Sequence, residues 1–326
     1  MKQLLSTLLF LFIIPINSAM ANEAPKVVVS IKPIHSLVTA IMDGVATPTL
    51  IIKKGSPHGY SLRPSEAKAL AKADLVVWVG HELESFLEKP LETLAKNSDQ
   101  LTLSTALQSS LLKTRTGEDW DEHHEEHGHD ADEHKEHDHA AHEHEEHEEH
   151  AGHHHGVMDL HIWLSPKIAQ KIVIATTAKL VKIDPSHAQQ YKANSTKVLR
   201  KLIALDNELS LALLPVQDKP YLAFHSAYQY FEAAYNLNAV GSVTIDPDRK
   251  PGVKGISEIR QRVKDTNAVC VFSEPQFESR LVATIIEGTS AKTGTLDPLG
   301  SNIPAGPEAY FTLMHNLASN LIAGLK

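Results

Sequence analysis

A single cysteine, Cys270, occurs in 326 residues. It lies in the apolar run AVCVF and reads as a buried free thiol. No internal disulfide is available, so the fold must rest on its hydrophobic core, and a chain of this length has room for one spread over two lobes. Aromatic residues make up only 6%, and no arginine-rich face is interleaved with them, which removes the usual footprint of nucleic-acid recognition. Beyond the first twenty residues no run is long and apolar enough to cross a bilayer. Hydrolase signatures are missing too: there is no HExxH on a helix and no nucleophile elbow.

What is present begins with an address. The chain opens MKQLLSTLLFLFIIPINSAMA, where one lysine precedes an apolar run from Leu8 to Ile16 and Ala19-Met20-Ala21 supplies the small residues of a cleavage site. This predicts a secretory signal over residues 1–21, cut after Ala21, and a bacterial periplasm as destination. No cysteine stands at the cut to accept a lipid anchor.

The net charge of −9 is unevenly held. Residues 118–156 contain sixteen acids and one lysine, −15 with neutral histidines, so the rest of the chain is about +6. The same stretch carries fourteen of the 21 histidines: His123, His124, His127, His129, His134, His137, His139, His142, His144, His147, His150, His153, His154 and His155. With almost no apolar side chains to bury, chain entropy is expected to keep it unfolded. Its imidazoles and carboxylates are expected to bind metal weakly, in many exchangeable arrangements. Ligation needs neutral imidazole, so that binding should fade as the pH falls through about 6.5.

Around this insert, strands and helices alternate. KVVVSI (26–31), PTLIIK (48–53), DLVVWVG (74–80) and QLTLS read as strands, separated by helices in IHSLVTAIMDG, in the segment opened by Ser65 and Glu66, and in HELESFLEKPLETLAKN around a proline break. The body resumes at VMDLHIWLSP, with a helix after Pro166. A long helical pattern then fills 184–214, with Val198, Leu202, Leu205 and Leu209 on one face, Asp184 placed to cap its start and Pro215 at its end. The alternation restarts with strands at 220–224, 240–245, 267–272 and 293–297, and helices centred on 227–235, 255–264, 277–289 and 307–322. This predicts two α/β lobes, each with a parallel sheet flanked by helices, at 22–183 and 215–326, joined by the long helix as a strut. A ligand cleft is expected between the lobes, at strand C-terminal ends.

Three histidines outside the insert fall at such ends or in loops: His58 in GSPHGYSLRPS, His161 in DLHIWLSP and His225 in FHSAYQYF. Neutral imidazole is a good zinc ligand. Asp297 ends the strand TGTLD and is placed either to ligate or to form the turn before Pro298. His35, in KPIHSLV, is placed either to serve a second site or to satisfy itself within its helix. Glu274, in SEPQF, reads as structural rather than as a supporting acid.

The segments LRPSEAKALAKADLVVWVG, HIWLSP, FHSAYQYF, VFSEPQF and GTLDPLG, in this order over essentially the whole mature chain and with the histidine-acid insert, resemble the ZnuA family of periplasmic zinc-binding proteins. The resemblance implies two α/β lobes joined by one long rigid helix, with metal held between them by His58, His161 and His225. It implies either Asp297 or water as the fourth ligand, because Pro57 stands where some members carry a glutamate. Three imidazoles suit Zn²⁺, whereas a manganese site calls for more carboxylate oxygen. The implied function is non-enzymatic: Zn²⁺ capture by a monomer and delivery to an inner-membrane ABC permease with its cytoplasmic ATPase, the histidine-acid loop acting as a weaker collector or sensor. The alternatives are a manganese or iron receptor of the same fold, or a secreted zinc hydrolase. Relatives often tie the C-terminal helix to the strand of Cys270 by a disulfide; here Gly324 stands where that cysteine is expected.

Overall fold

The β-branched run after the leader folds as β1 (Val27–Val29), followed by β2 (Thr49–Leu50), β3 (Leu75–Trp78) and β4 (Asp99–Thr102). These lie parallel in the order β2-β1-β3-β4. The computed structural model describes residues 23–115, 158–244, 247, 251–277 and 280–326; the predicted leader and the whole histidine-acid insert lie outside the described residues. β2 is shorter than the apolar run suggests, although Ile51 and Ile52 continue to donate to Val29 and Ser30 of the neighbouring strand. Helices α1 (Lys32–Ile41), α2 (Pro64–Leu70), α3 (Glu88–Thr93) and α4 (Leu103–Ala106) connect the strands. α3 begins so that Pro90 falls in its first turn, where the missing N–H costs no helical bond.

One element escaped the sequence pattern. β5 (Leu112–Lys113) and β6 (Met158–Asp159) form a two-residue antiparallel ladder that brings together the chain on either side of the insert. α5 (Pro166–Ile183) follows, started by Ser165, whose hydroxyl accepts the Ile168 N–H. After a short 3-10 turn, α6 (Ala188–Leu213) provides the long helix. The four predicted apolar positions of α6 are all buried, against α5, α1 and the C-terminal helix. Asp184 does not cap α6 through its backbone. Its carboxylate instead accepts from Ser186, His187 and Tyr191, and these bonds hold it below the usual carboxylate range against the opposing effect of burial.

The second sheet consists of β7 (Tyr221–His225), β8 (Ala239–Thr244), β9 (Cys270–Ser273) and β10 (Lys292–Thr295), all parallel, in the order β10-β9-β7-β8. Helices α7 (Gln229–Tyr235), α8 (Val253–Asp265), α9 (Arg280–Ile286) and α10 (Ala309–Leu325) surround it. Phe277, expected to open the helix at 277–289, instead stacks on Phe224 at 4.9 Å. One large apolar core runs from the first sheet through α1, α5, α6 and α10 into the inner face of the second sheet, and a smaller one fills that sheet's outer face. In the second sheet the winding reverses between β7 and β9, the place where open α/β sheets leave a crevice beyond their strand ends.

Cys270 is fully buried, and burial pushes its thiol up to about 12. Gly324 of α10 packs against it and against Phe272 so closely that a Cβ there would lie 3.1 Å from the sulfur and 2.7 Å from the ring.

Candidate metal centre

His225 is the last residue of β7, at the crevice beside β9. Glu274 directly follows β9, and its Oε1 accepts the His225 Nδ1–H at 2.6 Å. His161 lies two residues past the end of β6, and Asp159 Oδ1 accepts both its Nδ1–H at 2.8 Å and its backbone N–H at 2.9 Å. His58 sits half-buried on the loop after β2, its backbone N–H donated to Ser56 Oγ. Three separate segments thus deliver three imidazoles to one point, with ring centroids 5.2–5.7 Å apart. One nitrogen of each ring lies within 4.8 Å of the others.

The two carboxylates fix the tautomers. With Nδ1–H of His161 and of His225 each donated to an acid, the lone pair of each ring is on Nε2. Those two Nε2 atoms face each other at 3.3 Å. Tetrahedral Zn²⁺ with Zn–N bonds of about 2.0–2.1 Å requires N···N edges of about 3.3–3.4 Å. Burial pushes the Glu274 carboxyl well above its usual range, opposed by the nearby His161; a cation bound between the rings acts in the same direction as His161 and favours the carboxylate.

The profile described as "Zinc-uptake complex component A periplasmic", that of the ZnuA family, matches residues 27–324. The chain belongs to the ZnuA family. It is 46% identical to the high-affinity zinc uptake system protein ZnuA of Brucella abortus (strain 2308), over 94% of this chain and 93% of that one. Its fold is similar to the crystal structure of a ZnuA, with TM-score 0.73, 22% identity and coverage of 93% of this chain and 100% of the other. It is also similar to a Zn(II)-bound mutant variant of AdcAII from Streptococcus pneumoniae, with TM-score 0.70, 22% identity and coverage of 92% and 99%.

Within this ZnuA-type fold, Asp297 stands apart from the three imidazoles. Its Oδ1 accepts the N–H groups of Leu299 and Gly300 and the Gln276 side-chain amide, and its Oδ2 accepts the Ser301 N–H at 2.6 Å. Of the two roles open to it in the sequence, turn former is the one this geometry displays, and among the described residues the cluster is His58, His161 and His225 without it. His35 lies outside the cluster as well: its Nε2 bonds the Pro48 carbonyl at 3.0 Å, and burial lowers its affinity for a proton. Two acids that bond these rings were not read from the sequence as their partners. Glu274 is the acid that supports His225, and Asp159 was overlooked although an acid two residues before a histidine was visible in DLH. No helix among the described residues is long and apolar enough to cross a membrane. The insert histidines, His123 to His155, lie outside the described residues.

Proposed function

We propose that the protein captures Zn²⁺ as cargo on His58, His161 and His225 and delivers it to an inner-membrane permease of the ABC type, driven by a cytoplasmic ATPase. The observation that carries this reading is the 3.3 Å separation of two Nε2 lone pairs whose rings are locked by Asp159 and Glu274. The donor set is imidazole nitrogen, which favours zinc over manganese or iron, and the commitment of Asp297 to backbone N–H groups points the same way. A fourth position is filled by water, or by Asp297 if its turn opens. The chain acts as a monomeric periplasmic receptor after loss of residues 1–21, with no catalytic step of its own. The insert at 118–156 is a weaker collector, since its histidines lack a fixed geometry.

The test is a zinc titration against a competing chelator on the mature protein, on a version lacking residues 118–156, and on His161→Ala. One tight site that survives the deletion and is lost in His161→Ala supports the reading. A tight site that disappears with the insert overturns it and makes the insert the main receptor. Growth of a deletion strain under chelation tests the transport step: a receptor is required when zinc is scarce, whereas an extracellular buffer is not.

A further inference from the structure

His161 and His225 come from different lobes, yet their Nε2 atoms lie at a bonding edge of one tetrahedron. Something must hold the two lobes in register at that point. Helix α7 begins four residues after His225, and its Tyr230 is 3% exposed. The Tyr230 hydroxyl donates to the Asp159 carbonyl at 2.6 Å and accepts the Leu112 N–H at 2.9 Å. Leu112 and Asp159 are the directly paired residues of the β5–β6 ladder, so this hydroxyl is a rung between them. Asp159 in turn holds His161 by its side chain. A second bond from the same helix seats the ladder: Glu232, itself buried, accepts Arg115 Nη1 at 2.5 Å and the Tyr221 hydroxyl at 3.3 Å.

We propose that Tyr230 is a positioning residue for metal capture: by tying the segment after His225 to the backbone of Asp159, it sets the spacing between the His225 and His161 imidazoles. The inference rests on the reading of these histidines as the zinc site. A hydroxyl with both its donor and its acceptor role used has one orientation, and it fixes the carbonyl of the residue that orients His161. Loss of the hydroxyl frees the ladder to shift relative to β7, and the two lone pairs no longer converge on one ion. The chemistry of each ligand is unchanged; only their distance is.

The experiment is Tyr230→Phe in the full mature chain, with Tyr235→Phe as its control. Tyr235 is on the same helix and its hydroxyl bonds Asp206 at 3.2 Å, so the control removes an equivalent group from the opposite connection. Zinc affinity is read by chelator competition, and site geometry by the visible absorption of the Co²⁺ complex. Tyr230→Phe is expected to weaken zinc binding about tenfold, the low end of what loss of an outer-shell partner costs, and to change the Co²⁺ spectrum. Tyr235→Phe is expected to leave both unchanged. In a His161→Ala background Tyr230→Phe should have no further effect on affinity, since the group it positions is gone. Equal affinities and superimposable Co²⁺ spectra for wild type and Tyr230→Phe overturn the proposal while leaving the site intact. Wild-type affinity in His161→Ala overturns the site itself.

Discussion

Asp159 holds His161 at two points, accepting its ring Nδ1–H at 2.8 Å and its backbone N–H at 2.9 Å with the same oxygen. One carboxylate therefore fixes both the position of the residue and the direction of its lone pair. Asp159→Ala is expected to weaken zinc binding about 10–100-fold. Asp159→Asn, which keeps an acceptor but not the charge, should fall between that variant and wild type. Chelator competition at pH 7.5 measures both, and equal affinity in all three proteins would remove Asp159 from the account.

Lys32 opens α1 in the first lobe, and its ammonium is buried against the second. Nζ donates to the carbonyls of Gly300, Ser301 and Ile303 at 2.6–2.9 Å. The same turn gives its N–H groups to Asp297. Lysine and aspartate thus grip opposite poles of one loop. Lys32→Met leaves three carbonyls without their donor and is expected to destabilise the zinc-free protein by about 2–4 kcal/mol. Urea unfolding provides the measurement; a midpoint equal to wild type would mean that water replaces the ammonium at no cost.

Glu84 is completely buried, its Oε2 accepting the N–H groups of Val79 and Gly80 at the end of β3. Burial outweighs these bonds and pushes the carboxyl up to about 7 from an ordinary value of 4.5. The folded state therefore retains a proton, between roughly pH 4.5 and 7, that the unfolded state has released. The resulting stability is fully present below about pH 4.5 and is lost as the pH rises through about 7. Glu84→Gln abolishes this slope. Relative to wild type it should gain about 2 kcal/mol between pH 5 and pH 8. Parallel denaturation curves at the two pH values test it, and an unchanged difference would place the titration elsewhere.

Near a helix end, glycine to alanine ordinarily costs nothing or stabilises. At Gly324 the sign should reverse, because the added Cβ would meet the Phe272 ring at 2.7 Å and Cys270 Sγ at 3.1 Å. Gly324→Ala is expected to cost about 1–3 kcal/mol, as overpacking does in a filled core, read as a lower thermal midpoint.

The sequence by itself determined the alternation of strands and helices, because β-branched runs and helical spacing are local signals. It determined the long α6 and its buried face, since Val198, Leu202, Leu205 and Leu209 recur at the period of a helix. Through its motifs it also identified His58, His161 and His225, which the fold brings to one point. Tertiary structure alone decided what supports them. Glu274 lies 49 residues from His225, and they meet only because β9 pairs beside β7. Lys32 reads as a surface lysine at a helix start, and only the packing of α1 against a loop 268 residues away buries it. The β5–β6 ladder has two residues per strand, too few for any periodicity to register, and the Tyr230 hydroxyl that bonds both of its strands comes from a helix more than 70 residues further along the chain. Asp297 had two roles open in the sequence, and only the folded turn shows three backbone N–H groups donated to its carboxylate. Local patterns report what a residue prefers to become; which residues become neighbours depends on burial summed over the whole chain.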